Sequence, residues 1–135
     1  MATPFRSWAL LMLAVAMVIP QDVVAPQPKM SVRLLNHLPG KLTVHCKASV
    51  DKVDLGEQFV EAGKDYYFSF YVNNWGTSVY WCKFKFGSMW NSFDVWTGPG
   101  FSGPCQHCFW AVEMDGFYRA EEGREPTSFQ KPWLH

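Results

Sequence analysis

Four cysteines are the residues of this sequence with the clearest chemistry. They all follow an apolar leader, and an even number of cysteines behind such a leader is typical of disulfides in a secreted protein: Cys46, Cys82, Cys105 and Cys108. The Cys105-Gln-His-Cys108 spacing also occurs in redox and zinc sites. Zinc would need a second close pair of cysteines, and a redox site would need an adjoining helix, and the sequence predicts neither. We therefore predict two structural disulfides.

Other groups that could carry catalysis or bind a metal are few. The histidines form no pair at the helical spacing of metal ligands: His37, His45, His107 and His135. The sequence has no glycine-flanked nucleophilic serine and no phosphate-binding glycine loop. Asp51 and Asp54 could bind calcium, but two carboxylates with Lys52 between them are too few for such a loop. We predict no enzyme activity, no metal site and no cofactor.

Tryptophans offer a third kind of chemistry, because exposed indole rings stack on sugars. Five of them fall in predicted loops or on the less apolar strand faces: Trp75, Trp81, Trp90, Trp96 and Trp133. They either pack in the core or at an interface, or they form a carbohydrate-binding platform.

Composition and the leader limit where the protein can act. The chain has 135 residues with 12 basic and 12 acidic side chains, and this balance argues against a general nucleic-acid binder. Residues 1–25 resemble a secretory signal peptide, because the apolar run from Trp8 to Ile19 is shorter than the roughly 20 residues of a membrane span. An uncleaved anchor or a buried helix is the alternative. We predict an extracellular protein with no stable membrane insertion after signal cleavage.

The segments that position these residues alternate between apolar and polar side chains with a period of two residues. Runs of alternating apolar and polar residues predict seven strands: 31–36, 41–47, 66–72, 79–86, 92–96, 108–113 and 117–119. Turn residues separate them, with Asp115-Gly116 as the strongest hairpin signal. The pattern predicts an all-β, single-domain antiparallel β-sandwich of about seven to eight short strands over residues 26–120. Residues 121–135 are polar and predict a mobile C-terminal tail, which Phe129 and Trp133 could hold down.

The strand faces predict the core and the disulfide pairing. The predicted core side chains share the apolar faces: Leu42, Val44, Phe68, Phe70, Phe84, Trp110 and Val112. A bond between Cys105 and Cys108 would close a very small loop and constrain the unfolded chain little. We therefore predict bonds from Cys46 to Cys108 and from Cys82 to Cys105, with the partners of Cys105 and Cys108 exchanged as the nearest alternative.

An ordered set of short motifs resembles the plant self-incompatibility S-protein homologue family over residues 31–119. The motifs are Leu42-Thr-Val-His-Cys-Lys47, Asp54-Leu-Gly56, Tyr67-Phe-Ser-Phe70, Tyr80-Trp-Cys82, Phe93-Asp-Val-Trp96, Cys108-Phe-Trp-Ala-Val-Glu113 and Asp115-Gly-Phe-Tyr118. The resemblance implies a small protein secreted from plant cells, with a β-sandwich fold and two disulfides. It also implies a ligand that a cell-surface receptor recognises, not an enzyme, with recognition in the loops between strands.

Three loops are therefore the candidate receptor-binding segments. They are Ser49–Gly56, Asn73–Ser78 and Thr97–Pro104. Loops that join strands of a cross-linked scaffold can vary without disturbing the core. They carry charged and aromatic groups suited to protein recognition: Asp51, Lys52, Asp54, Asn74, Trp75 and Phe101. The alternative function is a secreted carbohydrate- or cell-wall-binding module that uses exposed tryptophans.

Overall fold

The computed structural model describes residues 29–49, 52–72, 78–98 and 103–135. This part of the chain contains nine strands and no helix, and so no helix long and apolar enough to cross a bilayer. The strands are β1 (Lys29–Asn36), β2 (Leu42–Ala48), β3 (Asp54–Val60), β4 (Asp65–Tyr71), β5 (Val79–Phe86), β6 (Met89–Thr97), β7 (His107–Glu113), β8 (Gly116–Glu121) and β9 (Ser128–Lys131). The predicted signal peptide lies outside the described residues and stays a prediction.

The strands form two sheets that face each other. One sheet has the strand order β4-β1-β7-β8-β9, and the other has the order β3-β2-β5-β6. Inward side chains from both sheets join in one hydrophobic cluster, which confirms the predicted all-β sandwich. All strand pairs are antiparallel except β1 and β7, which run parallel. A parallel pair needs a long connection, and here that connection contains β2 to β6.

Two of the nine strands are absent from the sequence prediction. β3 begins in the predicted loop at Asp54 and contains Gly56 with a φ of 78°, a conformation that few residues other than glycine adopt. Its apolar alternation is weak, and it forms because its backbone pairs with the edge of β2. β9 has only four residues and pairs with β8. Both strands lie at sheet edges, where pairing requires few buried side chains.

Aromatic rings fill the space between the sheets. The ring centroids of Phe93 and Trp110 lie 5.2 Å apart, and those of Phe84 and Phe117 lie 4.8 Å apart. Trp110 also donates its indole N–H to the carbonyl of Val95, 3.0 Å away across the interior. Val95 lies where the β5–β6 register shifts, and it has no register partner on β5. The irregularity therefore supplies the acceptor that a buried indole requires.

The predicted core is confirmed for six of its seven residues. Leu42, Val44, Phe70, Phe84, Trp110 and Val112 are buried. Phe68 is only partly buried, although it packs against the same cluster. Its ring centroid lies 5.7 Å from that of Tyr66 and 6.1 Å from that of Phe70, and its strand, β4, lies at one edge of its sheet.

The predicted disulfide pairing is wrong. The bonds join Cys46 to Cys82 and Cys105 to Cys108, with Cα–Cα distances of 4.0 and 5.1 Å. Cys46 and Cys82 are register partners on the adjacent strands β2 and β5. Facing sheets lie about 10 Å apart, whereas a disulfide needs Cα atoms within about 7 Å, so an inward cysteine finds its nearest partner within its own sheet.

The consequence is that neither disulfide crosses the sandwich. In the entropic model the Cys46–Cys82 bond contributes about 4 kcal/mol and the short Cys105–Cys108 bond about 2 kcal/mol. The first bond stabilises one sheet and the second stabilises the start of β7. Packing between the rings must therefore hold the sheets together.

Asn36 is a fully buried polar residue at the end of β1. Its amide group donates to the carbonyls of Gly40 and Val60 at 2.9 and 2.8 Å, and its Oδ1 accepts from the backbone N–H of Leu38 at 2.8 Å. Its backbone carbonyl accepts from Gly63. One side chain thus fixes the turn between β1 and β2 and joins it to the end of β3.

The C-terminal segment belongs to the fold, so the prediction of a mobile tail is wrong. Trp133 is only 7% exposed, its ring centroid lies 4.6 Å from that of Phe117, and its indole N–H donates to Glu113 O at 2.7 Å. Leu134 then pairs with Trp90 on β6. The segment therefore passes from the edge of one sheet to the edge of the other. The polar composition predicted mobility, whereas the alternative that Trp133 holds the segment down is confirmed.

Replacing Asn36 by alanine should destabilise the fold. Each buried group left without a partner costs about 1–3 kcal/mol, and three such groups depend on this side chain. Gln130→Ala is the control, because the amide of Gln130 is bonded locally to Ser128 and should cost no more than about 0.5 kcal/mol. Denaturant unfolding measures both, and equal midpoints for the two variants would contradict this role of Asn36.

Trp133→Ala should lower the free energy of unfolding by about 3–5 kcal/mol, because it empties a buried ring site between the sheet edges. Phe129→Ala, in the same segment but with its ring half exposed, should cost about 1 kcal/mol or less. Thermal unfolding of the two variants compares them directly. A melting temperature for Trp133→Ala as high as that of Phe129→Ala would show that the segment does not close the core.

Candidate functional site

The described ends of the three predicted recognition segments lie at one end of the sandwich, which we call the loop end. Ser49, which begins the first segment, donates its backbone N–H to Val79 O at 2.9 Å. Gly98, in the third segment, donates to the carbonyl of Ser78, which ends the second segment, also at 2.9 Å. The strand register thus brings together segments that are far apart in sequence.

The structure describes two of the six candidate side chains. Asp51, Asn74, Trp75 and Phe101 lie outside the described residues and stay predictions. Lys52 is exposed and has a φ of 51°, a backbone conformation unusual for a residue with a side chain. Such a conformation turns the chain sharply between β2 and β3.

Asp54 is the first residue of β3, not a loop residue as predicted. Its carboxylate accepts hydrogen bonds from His45 Nε2 at 2.5 Å and from the backbone N–H of Gly56 at 2.9 Å. The Nζ atom of Lys47 lies 3.9 Å away. The bond from His45, and after it the one from Gly56, lowers the pKa of Asp54. These contacts give Asp54 the role of holding the start of β3 against β2.

The ends of the third segment are held close together. Gly103 approaches the chain so closely that a Cβ atom there would lie 2.3 Å from the carbonyl oxygen of Thr97, so only glycine fits. The Cys105–Cys108 disulfide fixes the residues that follow, and the indole of Trp96 donates to Gln106 O at 3.1 Å. The segment therefore leaves and re-enters a rigid frame.

One contact resembles a nucleophile and its base. Ser31 Oγ lies 2.8 Å from His107 Nδ1, and sequence reasoning missed the pair because β1 and β7 meet only in the folded sheet. Ser31 is 3% exposed, so a substrate would not reach its hydroxyl, and no described carboxylate contacts the ring of His107. The pair is a hydrogen bond between neighbouring strands.

A shallow groove of about 550 Å³ lies beside the β7–β8 hairpin. His37 Nδ1 and Glu113 Oε1 are 2.6 Å apart along it, and the hydroxyl of Tyr118 donates to Asp115 at 2.6 Å. That hydrogen bond raises the pKa of Tyr118. The charged groups thus pair with one another, and the described residues hold no group of three or more metal-ligating side chains.

The five candidate tryptophans differ in how far they are buried. Trp96 and Trp133 lie in the core, and Trp75 is outside the described residues. Trp81 is partly buried, with the ammonium group of Lys47 5.7 Å from its ring centroid. Trp90, on β6, remains 41% exposed. A platform built from several tryptophans is therefore not formed by the described residues.

Comparison with known proteins gives consistent results. Residues 31–133 match the family model described as plant self-incompatibility protein S1. The chain is 35% identical to S-protein homolog 5 of Arabidopsis thaliana over 92 residues, which cover 68% of this chain and 67% of that protein. It is 30% identical to S-protein homolog 2 of the same plant over 117 residues, covering 82% and 71% of the two chains.

A solved structure has the same fold. It is a self-incompatibility protein homologue, described as one of a widespread family of small, highly stable, secreted plant proteins. The TM-score is 0.61 at 19% sequence identity, and the match covers 81% of this chain and 97% of that one.

The contacts of Asp54 predict a pH dependence of stability. Its pKa in the folded state is below the ordinary 3.8, so its contribution is fully present above pH 3.8 and is lost as the pH falls through the folded-state pKa. The difference in melting temperature between the native protein and Asp54→Asn should therefore shrink in acid.

Thermal unfolding between about pH 7 and about pH 2 measures this difference. Asp94→Asn is the control, because Asp94 has no ion pair among the described residues and its substitution should change the melting temperature little at either pH. A difference for Asp54→Asn that stays constant across the range would contradict the assignment.

Proposed function

The chain belongs to the plant self-incompatibility protein S1 family, and we propose that it is a secreted recognition protein that acts as a ligand for a cell-surface receptor through its loop end. The observation that carries the proposal is that the described ends of three sequence-separated segments meet at one end of a cross-linked sandwich. Family membership and the predicted signal peptide support secretion.

The frame around the loop end suits a binding surface. Backbone hydrogen bonds from Ser49 and Gly98 fix the segments where they leave the strands, and the Cys105–Cys108 disulfide fixes the start of β7. A rigid frame lowers the entropy that loops lose on binding. The loop side chains can then differ between relatives while the core is unchanged.

The composition of the segments favours a protein partner. Aromatic and charged side chains at the centre of an interface provide most of the binding energy, and Trp75, Phe101 and Lys52 supply both types. Asp54 is assigned to the frame, because its carboxylate is engaged by His45 and Gly56. The proposed role is binding without catalysis.

The test is saturable binding of labelled protein to plant cells from which the wall has been removed. A loop-end variant combines Asp51→Ser, Lys52→Asn, Trp75→Ser and Phe101→Ser, with asparagine at 52 because it tolerates a positive φ. It should be secreted and melt like the native protein, yet bind at least about tenfold more weakly.

A control variant removes similar groups from surfaces away from the loop end: Tyr67→Ser, Met114→Ser and Lys131→Asn. It should bind as the native protein does, and mild protease treatment of the cells should abolish binding. Full binding by the loop-end variant, or binding that survives the protease, would exclude a protein receptor recognised by these loops.

A further inference from the structure

The outer face of the β3-β2-β5-β6 sheet carries a small cationic groove at the β5–β6 hairpin. It has a volume of about 250 Å³ and is lined by Lys83, Lys85, Gly87, Ser88, Met89 and Trp90. Lys83 and Lys85 stand two residues apart on β5, so both side chains leave the same face, about 6.6 Å apart along the strand. The groove lies at the end of the sheet opposite the loop end.

The two lysines are exposed and lack acidic partners among the described residues. Lys47, on the same face, has Asp54 within 3.9 Å, whereas Lys83 and Lys85 form no ion pair with any residue that the structure describes. Across the sheet their register partners on β2 are His45 and Thr43, and on β6 they are Ser92 and Trp90. None of these four side chains is a carboxylate, so no residue directly opposite the two lysines carries a negative charge.

The acidic groups of this face lie elsewhere on it. Glu57 is the register partner of His45, and Asp54 is bonded to His45. Asp94 lies opposite Trp81, two residues along β6 from Ser92, which is the partner of Lys83. The groove therefore has two cations with no carboxylate among its lining residues, although the whole chain has no net charge.

Trp90 adds a fixed aromatic surface to the two cations. Its backbone exchanges hydrogen bonds with Leu134, with N–O distances of 3.0 and 2.7 Å, so the C-terminal segment holds this residue in place. Its side chain nevertheless stays 41% exposed, directly opposite Lys85. An indole ring held beside ammonium groups is pre-organised for a ligand that has both a flat apolar surface and negative charge.

We propose that this groove binds an acidic oligosaccharide, with one sugar ring stacked on Trp90 and the carboxylates of neighbouring sugar units paired with Lys83 and Lys85. The C–H face of a sugar ring packs against an indole, and an extended chain of uronate units carries a carboxylate on every unit. The open, shallow shape suits a linear polymer that lies along the strand. A large apolar side chain of a peptide would find no deep pocket there.

This site is separate from the proposed receptor-binding surface. It uses the opposite end of the sandwich and shares no side chain with the loop end, so either proposal can fail without the other. A secreted protein with both surfaces would be retained by acidic polysaccharide while its loops remain free to bind a receptor.

Titration calorimetry with the purified full chain tests the proposal. The probes are a de-esterified galacturonate oligosaccharide, the same oligosaccharide with its carboxyl groups methyl-esterified, and polyglutamate of matched charge. The native protein should bind the first probe, with an affinity that falls as salt is raised, and should bind the other two at least about tenfold more weakly.

Lys83→Gln combined with Lys85→Gln should weaken binding at least about tenfold, and so should Trp90→Ala. Lys64→Gln combined with Lys131→Gln is the matched control, because it changes the net charge equally at exposed sites outside the groove and should leave the affinity unchanged. Each variant is first shown to melt like the native protein. If Trp90→Ala unfolds, Trp90→Leu replaces it, keeping apolar bulk without the aromatic face.

Three outcomes would overturn the proposal. Equal affinity for polyglutamate would mean that the groove binds polyanions without regard to sugar. Equal affinity for the esterified probe would remove the role of charge. Undiminished binding by the folded Trp90 variant would remove the role of the indole.

Discussion

Ring packing between the two sheets is the interaction on which the rest of this structure depends. Both disulfides lie within one sheet or at the start of one strand, so no covalent cross-link crosses the interior. The contacts of Phe93 with Trp110 and of Phe84 with Phe117 must hold the sheets at a fixed distance. Buried indole groups add a directional contact to this packing, because the hydrogen bond from Trp110 to Val95 links β7 to β6 across the interior.

Polar groups complete this arrangement at the ends of the sandwich. Asn36 fixes the turn after β1 and joins it to β3, and Trp133 closes the opening between the edge strands β9 and β6. The same C-terminal segment positions Trp90. The proposed glycan groove thus depends on the core at the hairpin end, while the loop end depends on the backbone bonds of Ser49 and Gly98. Two surfaces of different chemistry can therefore share one scaffold.

Sequence reasoning predicted those features that depend on local alternation. The period of two along β2, β5 and β7 placed Leu42, Phe84 and Trp110 in the core, because each strand has one apolar face. It missed β3, since pairing with β2 stabilises a strand whose own residues show weak alternation. It offered the attachment at Trp133 only as an alternative to a mobile tail, because that attachment depends on a single residue in a polar segment.

Features set by register could not be predicted in the same way. The Cys46–Cys82 disulfide follows the opposition of these two residues across β2 and β5, whereas the entropic argument concerns the unfolded chain alone. The position of the described loop ends at one end of the sandwich and the closeness of Trp90 to Lys85 depend equally on which strands become neighbours. The sequence identified the candidate loops, but only the fold shows that their described ends lie at the same end of the sandwich.

The parallel pairing of β1 with β7 has a consequence for the order in which the chain can assemble during synthesis. Ser31 and His107, which face each other in this pair, are 76 residues apart. At ribosomal rates of about 5–20 residues per second, β1 emerges about 4–15 s before its partner. During that interval only the antiparallel partner β4 can cover one edge of β1. Val32 and Leu34 are fully buried in the folded protein, and β1 gains its second neighbour only after β7 has been made. Contacts between such distant parts of the chain slow folding.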